Sequence, residues 1–391
     1  MKKIYTKTGN YHSYFEVPRF SKITEDQTYD LESIFWHDQH DFTRSNVQFD
    51  ECLYESAWEH LKNDPTSKIL LFYGDEYYNI LDLRIWAKTL KDRGIKPNQL
   101  YIICVDDNWT SWTKREMSKL GAEGVNVQSL TLLMDRVSPQ TPKPITHRFS
   151  AFSRNYLKWR LKLFVKLFNL GLLKYFTYTF NNIMPYGKVI TYDPKEIKNH
   201  AVELGFTIDK NLLSWIKAIP YKPKGDNYMH KLSSSIYDKL SSSGIHLVIE
   251  SHFDPFWQFA GSRDKEDFRQ FSPAFPTEKT YKAIGCNRPF IIASTPEFLK
   301  EFRQLGYKTF HPYIDETYDT IEDDELRMQA IVNEIERLAK LTTDEFNSLI
   351  LECEKIAKHN ASVMAEKKKE IVFTKEFEWV IPLVGPTARH Y

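Results

Sequence analysis

The residues best suited to chemistry in this chain lie in a short polar turn, Thr277-Glu278-Lys279-Thr280. A run compatible with a helix, 281–285, follows the turn directly. The first turn of a helix leaves backbone N–H groups unbonded and carries the positive end of the helix dipole, so it favours an anion. Glu278 could take ribose hydroxyls, and Lys279 could take a phosphate. A surface ion pair ahead of a helix explains the same two residues, so the turn alone leaves both interpretations open.

Other polar residues follow the predicted strands at their carboxyl ends, where ligands bind in open α/β sheets. Four acidic residues occupy such positions in the first half of the chain: Asp75, Glu76, Asp106 and Asp107. The positions in the second half are Ser153, Arg154, Glu250, Ser251 and the turn at 277–280. Acidic groups on one side of a cleft and basic groups on the other suit an anionic donor and an acceptor hydroxyl that must lose a proton. The four acidic residues are therefore the candidates for a catalytic base.

The elements that must position these residues alternate between strands and helices, which predicts an α/β fold with a doubly wound parallel sheet. In the first half, the predicted strands are 68–73, 100–105 and 125–130, and the predicted helices are 81–90 and 112–120. Residues 1–60 show no clear period. Three prolines within 138–145 indicate a linker and place a domain boundary there.

The second half repeats the strand–helix–strand pattern. Its predicted strands are 188–192, 245–249, 289–293 and 307–310, and its predicted helices are 156–175, 234–240, 281–285, 296–305, 326–338 and about 342–368. Thr342 and Glu345 have the spacing of a capping box at the start of the last helix. Residues 194–232 are polar and are predicted to be irregular.

The charge of this 391-residue chain is balanced, with a formal net charge of +1, so no general attraction to nucleic acid or acidic membranes is expected. A local basic face remains, because Lys158, Lys162 and Lys166 line one side of the helix predicted at 156–175. This face is either solvated or in contact with a ligand or nucleic acid.

Several classes of protein are excluded by the motifs that the sequence lacks. There is no P-loop, no glycine-rich dinucleotide fingerprint and no nucleophile elbow. The histidines are scattered and the four cysteines lack metal or redox spacing, so no metal site is predicted. No run is apolar enough to span a membrane, which together with the cysteines predicts a reduced, cytoplasmic protein.

Three segments of the second half resemble the donor-binding half of the α1,3-fucosyltransferase family. They are Ile-His-Leu-Val-Ile-Glu-Ser at 245–251, Phe-Pro-Thr-Glu-Lys-Thr-Tyr-Lys-Ala-Ile at 275–284 and Arg-Pro-Phe-Ile-Ile at 288–292. The match is closer to fucosyltransferase-like proteins of large viruses, phages and bacteria, which also carry segments similar to 306–310 and 315–319 here. The resemblance covers roughly residues 148–340. Asp315, Glu316 and Tyr318 also fit a structural role, capping a helix and packing the domain.

The resemblance implies a GT-B architecture, in which two facing Rossmann-like α/β domains are followed by a C-terminal helical segment. It predicts an acceptor-side domain at 1–145, a donor-binding domain at 146–345, and a helix and tail at 346–391 that pack back across the domains. The family's donor is a nucleotide sugar that binds without an obligatory metal. GDP-linked and UDP-linked donors both stay open here.

Some site residues of the family can be carried over to this chain. Glu278 would bind ribose or sugar hydroxyls, and Lys279 would neutralise the diphosphate. The family also has a serine-containing strand end followed by an arginine on the next helix, which grips the diphosphate. Ser153 with Arg160 fits this spacing, and Arg154 is the rival.

The family's Glu-Asn pair at a strand end is Glu250-Ser251 here, which leaves the role of Ser251 open. The sequence thus predicts a monomeric glycosyltransferase with no prosthetic group, located in the cytoplasm (of a host, if the source is viral). Its acceptor is either a glycan or lipid-linked sugar, or a hydroxymethylated pyrimidine base of phage DNA. In the second case, helix 156–175 and the aromatic N-terminal segment would contact the DNA. A non-catalytic protein that binds a nucleotide sugar is the third hypothesis.

Overall fold

A computed structural model of the chain describes residues 3–8, 30–35, 55–72, 80–104, 107–129, 137, 139–153, 155–184, 190–219, 234–250, 253 and 276–369. These residues form two compact units, each a mixed α/β structure with a parallel sheet. The first unit takes the described residues within Met1–Arg136 and Lys367–Tyr391, and the second takes those within Val137–Pro255 and Pro276–Glu366. The predicted domain limits at 145 and 345 stay predictions.

The first unit has a sheet whose described strands run parallel in the order β2-β1-β3-β4-β5. These strands are β1 (Lys3–Thr8), β2 (Asp30–Phe35), β3 (Lys68–Phe72), β4 (Leu100–Cys104) and β5 (Asn126–Ser129). The helices are α1 (Glu55–Asn63), α2 (Ile80–Arg93) and α3 (Asp107–Lys119). Buried residues of the helices and of the central strands, such as Trp58, Leu71 and Ile102, form one apolar core.

The three strands and two helices predicted for this region are confirmed, with shifts at their ends. α2 ends because Gly94 adopts a left-handed conformation with a φ of +68°, and the next N–H, of Ile95, bonds back to the carbonyl of Leu90 at 2.8 Å. α3 begins at Asp107 instead of 112. The sequence does not predict β1 and β2, because polar residues interrupt both strands and leave no continuous apolar run.

The second unit contains six described strands: β6 (His147–Ser153), β7 (Phe176–Phe180), β8 (Ile183–Met184), β9 (Ile190–Thr191), β10 (Ser243–Ile249) and β11 (Phe290–Ala293). Four of them run parallel in the order β11-β10-β6-β7, while β8 and β9 pair in antiparallel fashion. The remaining helices are α4 (Lys158–Asn169), α5 (Pro194–Glu203), α6 (Lys210–Lys217), α7 (Ser234–Ser241), α8 (Glu278–Gly285), α9 (Phe298–Gln304), α10 (Asp324–Lys340) and α11 (Thr343–Lys369). β10 is buried along its whole length, which fits its inner position in the sheet.

The strands predicted at 245–249 and 289–293 are confirmed as β10 and β11, and the helices predicted from 281, 296, 326 and 342 are confirmed as α8 to α11. The predicted capping box of α11 is present. The backbone N–H of Thr342 donates to Glu345 Oε2 at 2.8 Å, and the N–H of Glu345 donates to Thr342 Oγ1 at 3.3 Å. The helix predicted at 156–175 is observed over a shorter range, as α4, which runs from Lys158 to Asn169.

Two predictions for this unit are wrong. The segment 194–232 is predicted to be irregular, but its described part, 194–219, contains α5 and α6, while 220–232 lie outside the described residues. α5 begins at a capping box formed by Asp193 and Glu196, a signal that the sequence carries. The strand predicted at 307–310 is absent from this described segment. The backbone N–H of Lys308 donates to Asn360 Oδ1 at 2.8 Å, and Asn360 Nδ2 donates to the Lys308 carbonyl at 2.8 Å. One side chain thus bonds the groups that a neighbouring strand would bond.

The two sheets share one winding pattern. In the first, the chain passes from β1 to β2 on one side and then to β3 and β4 on the other side. In the second, it passes from β6 to β7 on one side and then to β10 and β11 on the other. Each sheet therefore has a topological switch point, between β1 and β3 and between β6 and β10, and ligands of open α/β sheets bind beyond the carboxyl ends of the strands at such points.

Candidate functional site

Glu250 lies at the switch point of the second sheet, directly after the last residue of β10. Its side chain is 2% exposed. Oε1 accepts hydrogen bonds from the backbone N–H of Thr277 at 3.0 Å and from Thr280 Oγ1 at 2.6 Å, and Oε2 accepts one from Thr277 Oγ1 at 2.5 Å. Both carboxylate oxygens of Glu250 therefore bind the start of α8.

The turn at 277–280 forms the N-terminus of α8, as the sequence predicts. Thr277 is the N-cap residue, because its Oγ1 accepts a hydrogen bond from the backbone N–H of Lys279 at 3.3 Å. Glu278 places a carboxylate in the first turn, where the helix dipole favours it. Threonine at the cap and glutamate after it thus explain why the helix begins here.

Lys279 and Glu278 lie at the partly exposed side of this helix start. Lys279 Nζ donates to Thr277 Oγ1 at 3.1 Å and lies 3.3 Å from Glu278 Oε1 and 3.9 Å from Glu250 Oε2. Lys282 adds a second ammonium, 3.9 Å from Glu278 Oε1. Glu278 and Lys279 thus form the ion pair that is one of the two interpretations of this turn. Binding of an anion by Lys279 stays a proposal.

Arg160 connects the two strands that flank the switch point. It lies on α4 and is 3% exposed. Its Nη2 donates to the carbonyl of Glu250 at 2.8 Å, and its Nη1 donates to the carbonyl of Asn155 at 3.1 Å and to Ser153 Oγ at 3.5 Å. Ser153 is the last residue of β6, so the arginine on the next helix reaches back to this strand end and across to the end of β10.

Arg160 and Lys279 therefore both contact Glu250, one at its carbonyl and the other near its carboxylate. The structure brings together seven of the predicted residues around this point: Ser153, Arg160, Glu250, Thr277, Glu278, Lys279 and, through Glu250, Thr280. Two ammonium groups, of Lys279 and Lys282, lie beside the carboxylate of Glu278 at this helix start, which is a place that suits an anion.

The other predicted site residues are not part of this cluster. Arg154, Ser251, Asp75, Glu76 and Asp106 lie outside the described residues. Asp107 begins α3 in the first unit, where its exposed carboxylate accepts a hydrogen bond from Ser129 Oγ at 2.5 Å.

The basic face of α4 is occupied by acidic partners. Lys158 Nζ lies 2.6 Å from Glu203 Oε2. Lys166 Nζ lies 2.7 Å from Glu325 Oε1, and Lys162 pairs with the same carboxylate. These contacts with α5 and α10 favour a structural role for the lysines over contact with nucleic acid.

A second buried carboxylate, missed by the sequence prediction, caps the helix after β11. Asp319 accepts hydrogen bonds from the backbone N–H groups of Leu299 at 2.9 Å and Lys300 at 3.3 Å, both in the first turn of α9. Burial raises the pKa of Asp319 to about 6. No local signal reveals this cap, because the residue lies far along the chain from the helix. Nearby, Tyr318 Oη accepts a hydrogen bond from the backbone of Ile292, which favours the structural alternative for this segment.

The centre of the second sheet holds a buried histidine. His246 on β10 and Ser150 on β6 are register partners, and the His246 Nδ1 and Ser150 Oγ atoms are 2.6 Å apart. Burial, with a further contribution from the positive charge of Arg288, lowers the pKa of His246 to about 3. The imidazole is therefore neutral at physiological pH and belongs to the core of the sheet.

Comparison with known proteins finds no matching family model and no matching curated protein. Among solved structures, the chain is similar to the GtfA/B complex with a TM-score of 0.35 and 10% identity, covering 80% of this chain and 55% of that chain. It is similar to the DNA-modifying enzyme β-glucosyltransferase, whose structure was determined with and without its substrate uridine diphosphoglucose, with a TM-score of 0.34 and 13% identity over 94% of this chain and 99% of that chain. It is also similar to the N-terminal domain of Candida albicans trehalose-6-phosphate phosphatase, with a TM-score of 0.36 and 10% identity over 95% and 97% of the two chains.

These similarities are too low to carry an argument about this chain, and the resemblance to fucosyltransferases gains no support from them. Within the described part of the chain, no helix is both long and apolar enough to cross a membrane. The same residues include no group of three or more His, Cys, Asp or Glu side chains that could hold a metal ion.

Proposed function

We propose that this chain is a glycosyltransferase of GT-B architecture that takes a GDP-linked or UDP-linked sugar as donor. The observation that carries the proposal is the meeting of Arg160 and Lys279 on Glu250, at the switch point of a parallel sheet. This is the place where sheets of this kind bind nucleotides. The resemblance of 245–292 to a donor-binding domain points to the same place.

The chemistry of the site fits a departing nucleoside diphosphate. When the bond between sugar and diphosphate breaks, negative charge grows on the diphosphate. Lys279 and the N-terminus of α8 would stabilise that charge without requiring a metal ion. Arg160, which is 3% exposed, would hold the end of β10 behind them. Glu278, which is partly exposed beside Lys279, would accept hydrogen bonds from ribose or sugar hydroxyls.

The first unit would supply the acceptor side and the base that removes a proton from the acceptor hydroxyl. The candidates are Asp75, Glu76, Asp106 and Asp107. In sequence, Asp75 and Glu76 follow β3, which flanks the switch point of the first sheet, whereas Asp106 and Asp107 follow β4, one strand further away. This order favours Asp75 and Glu76.

A glycan or lipid-linked sugar is the favoured acceptor over a hydroxymethylated DNA base. The DNA hypothesis relies on the basic face of α4 and on the aromatic N-terminal segment of the chain. The lysines of that face pair with Glu203 and Glu325. A protein that binds a nucleotide sugar without transferring it is the remaining alternative, and an assay of turnover separates it from the enzyme.

The proposal is tested by the thermal stability of the protein with GDP, UDP and their sugar conjugates, followed by transfer assays with simple glycans and with hydroxymethylated DNA. Stabilisation by one nucleotide series and transfer of its sugar are expected. If no nucleotide or nucleotide sugar stabilises the protein, the proposed function is wrong.

Lys279→Ala is the matching variant. It should lower kcat/KM by about 10²-fold, because one stabilising charge at the leaving group is lost, while the folding stability changes little since the side chain is partly exposed. Lys198→Ala, an exposed lysine on α5, is the control and should behave like the wild type. Unchanged donor binding and turnover in Lys279→Ala would show that the phosphate role is wrong.

A further inference from the structure

Glu250, Thr277 and Thr280 are too buried to be ordinary ligand contacts. Their exposed fractions are 2%, 7% and 0%. The carboxylate of Glu250 already accepts three hydrogen bonds, all from the start of α8. Hydrogen bonds to a buried carboxylate are short and strong, so they hold this helix start firmly against the end of β10.

Glu250 also decides which way the Thr277 hydroxyl points. A hydroxyl has one hydrogen to donate and two lone pairs that accept. Because a carboxylate can only accept, the Thr277 hydrogen goes to Glu250 Oε2. The lone pairs of Thr277 Oγ1 then face Lys279, accepting from its backbone N–H at 3.3 Å and from its Nζ at 3.1 Å.

We infer that Glu250 is a positioning residue, which fixes the first turn of α8 and, through the Thr277 hydroxyl, the ammonium of Lys279. This inference rests on the proposed function, in which Lys279 meets the donor diphosphate. It assigns Glu250, Thr277 and Thr280 to the support of the donor site, behind the residues that touch the donor. Arg160 holds the backbone of Glu250 at the same point, so the support spans both strands of the switch point.

Glu250→Gln is the decisive variant, because it keeps the shape of the side chain but replaces one of the two oxygens that accept hydrogen bonds with an NH₂ group that donates them. The amide nitrogen of glutamine donates, so it competes with Lys279 for the lone pairs of Thr277 Oγ1. Thr280→Val removes one hydrogen bond at constant shape, and Thr280→Ser keeps it. Asp319→Asn is the matched control, since Asp319 is also a buried carboxylate that caps a helix, α9, and not α8.

Two measurements are combined. The first is hydrogen exchange of the backbone amides of 279–281 without ligand; Glu250→Gln should accelerate it about tenfold or more, which corresponds to the loss of one hydrogen bond. The second is the affinity for GDP and UDP, which should fall by about tenfold in Glu250→Gln, by less in Thr280→Val, and should recover in Thr280→Ser. Asp319→Asn should lower thermal stability and leave the affinity within about twofold of the wild type.

Each outcome decides a separate statement. Unchanged exchange at 279–281 in both Glu250→Gln and Thr280→Val overturns the inference. Faster exchange with unchanged nucleotide affinity also overturns it, because the helix start would then be held for stability alone. A wild-type protein that binds neither nucleotide refutes the proposed function. The exchange measurement needs no ligand, so it still shows whether the hydrogen bonds of Glu250 fix the first turn of α8.

Discussion

The two parallel sheets of this protein share their winding and differ in what stands at their carboxyl ends. In the second unit, a buried arginine and a buried glutamate meet between β6 and β10. In the first unit, the described residues at the corresponding edge make small contacts, such as Cys104 Sγ with Thr110 Oγ1 at 3.0 Å and Ser129 with the exposed Asp107. Topology alone therefore marks a ligand position in both sheets. Among the residues that the structure describes at these edges, buried charge is found in the second sheet.

Buried charges need partners, because taking a charge out of water is costly. Arg160 and Glu250 find those partners in backbone carbonyls, backbone N–H groups and hydroxyls. Such a network can stabilise the fold, bind a ligand, or do both. The following predictions compare the two units by the effect of substitutions on folding stability and on activity.

The largest effect is expected from Arg160→Met. The variant removes the Arg160 hydrogen bond to the buried carbonyl of Glu250, which holds the end of β10 behind the proposed donor site. We expect a loss of about 2–4 kcal/mol in the free energy of unfolding and a drop of about 10² in kcat/KM, because the donor site is misplaced. Urea unfolding and donor kinetics measure both.

Arg115→Met is the counterpart in the first unit, where the arginine lies on α3 and is 61% exposed beside Glu116. Its loss should cost at most about 1 kcal/mol, because Arg115 is exposed and Lys119 still pairs with Glu116 at 3.0 Å. Equal effects of the two substitutions would contradict the distinction drawn between the sheets.

An intermediate effect is expected from pH, through His246. Its pKa is about 3 in the folded protein, below the value of about 6.5 in an unfolded chain. Folding therefore opposes protonation, and stability that is present above pH 6.5 is lost as the pH falls toward 3. By linkage, the wild type should lose about 2 kcal/mol between pH 7.5 and pH 5 through this group.

His246→Gln should remove that part of the pH dependence, as measured by urea midpoints at pH 7.5, 6 and 5. His147→Gln, at the exposed start of the neighbouring strand β6, is the control and should retain the wild-type slope. The same slope in His246→Gln as in the wild type would show that acid acts elsewhere.

The smallest effect is expected from the lysines of α4. Lys162→Ala combined with Lys166→Ala should cost about 0.5–1 kcal/mol, since both side chains pair with the partly exposed Glu325. Binding to hydroxymethylated duplex DNA, measured by gel shift, should not change. If the wild type binds such DNA and the double variant does not, the DNA acceptor hypothesis is restored.

Much of the fold could be predicted from the sequence because its elements carry local signals. β3, β4, β10 and β11 are continuous apolar runs, and the capping box at Thr342 marks the start of α11. β1 and β2 could not be predicted, because their residues form no apolar run. The prediction of a strand at 307–310 was wrong, because the side chain of Asn360, far along the chain, hydrogen-bonds to the backbone of this segment.

The candidate site could be predicted only in part for the same reason. The position of Lys279 at a helix start follows from its neighbours in the sequence. The contacts of Glu250 with Thr277 and Thr280 span 27 and 30 residues, and no periodicity reports such pairs. The sequence therefore predicts which residues belong to the site. The structure adds that Glu250 lies behind Lys279 and is linked to it through Thr277.

The bond between Asn360 and Lys308 has a consequence for covalent modification. Asn360-Ala-Ser362 has the sequence of an N-glycosylation acceptor. The nitrogen that would receive the sugar, Nδ2 of Asn360, donates to the Lys308 carbonyl, and the residue has no exposed surface. In the folded protein this sequon is closed to any glycan-attaching enzyme, whatever compartment the chain enters.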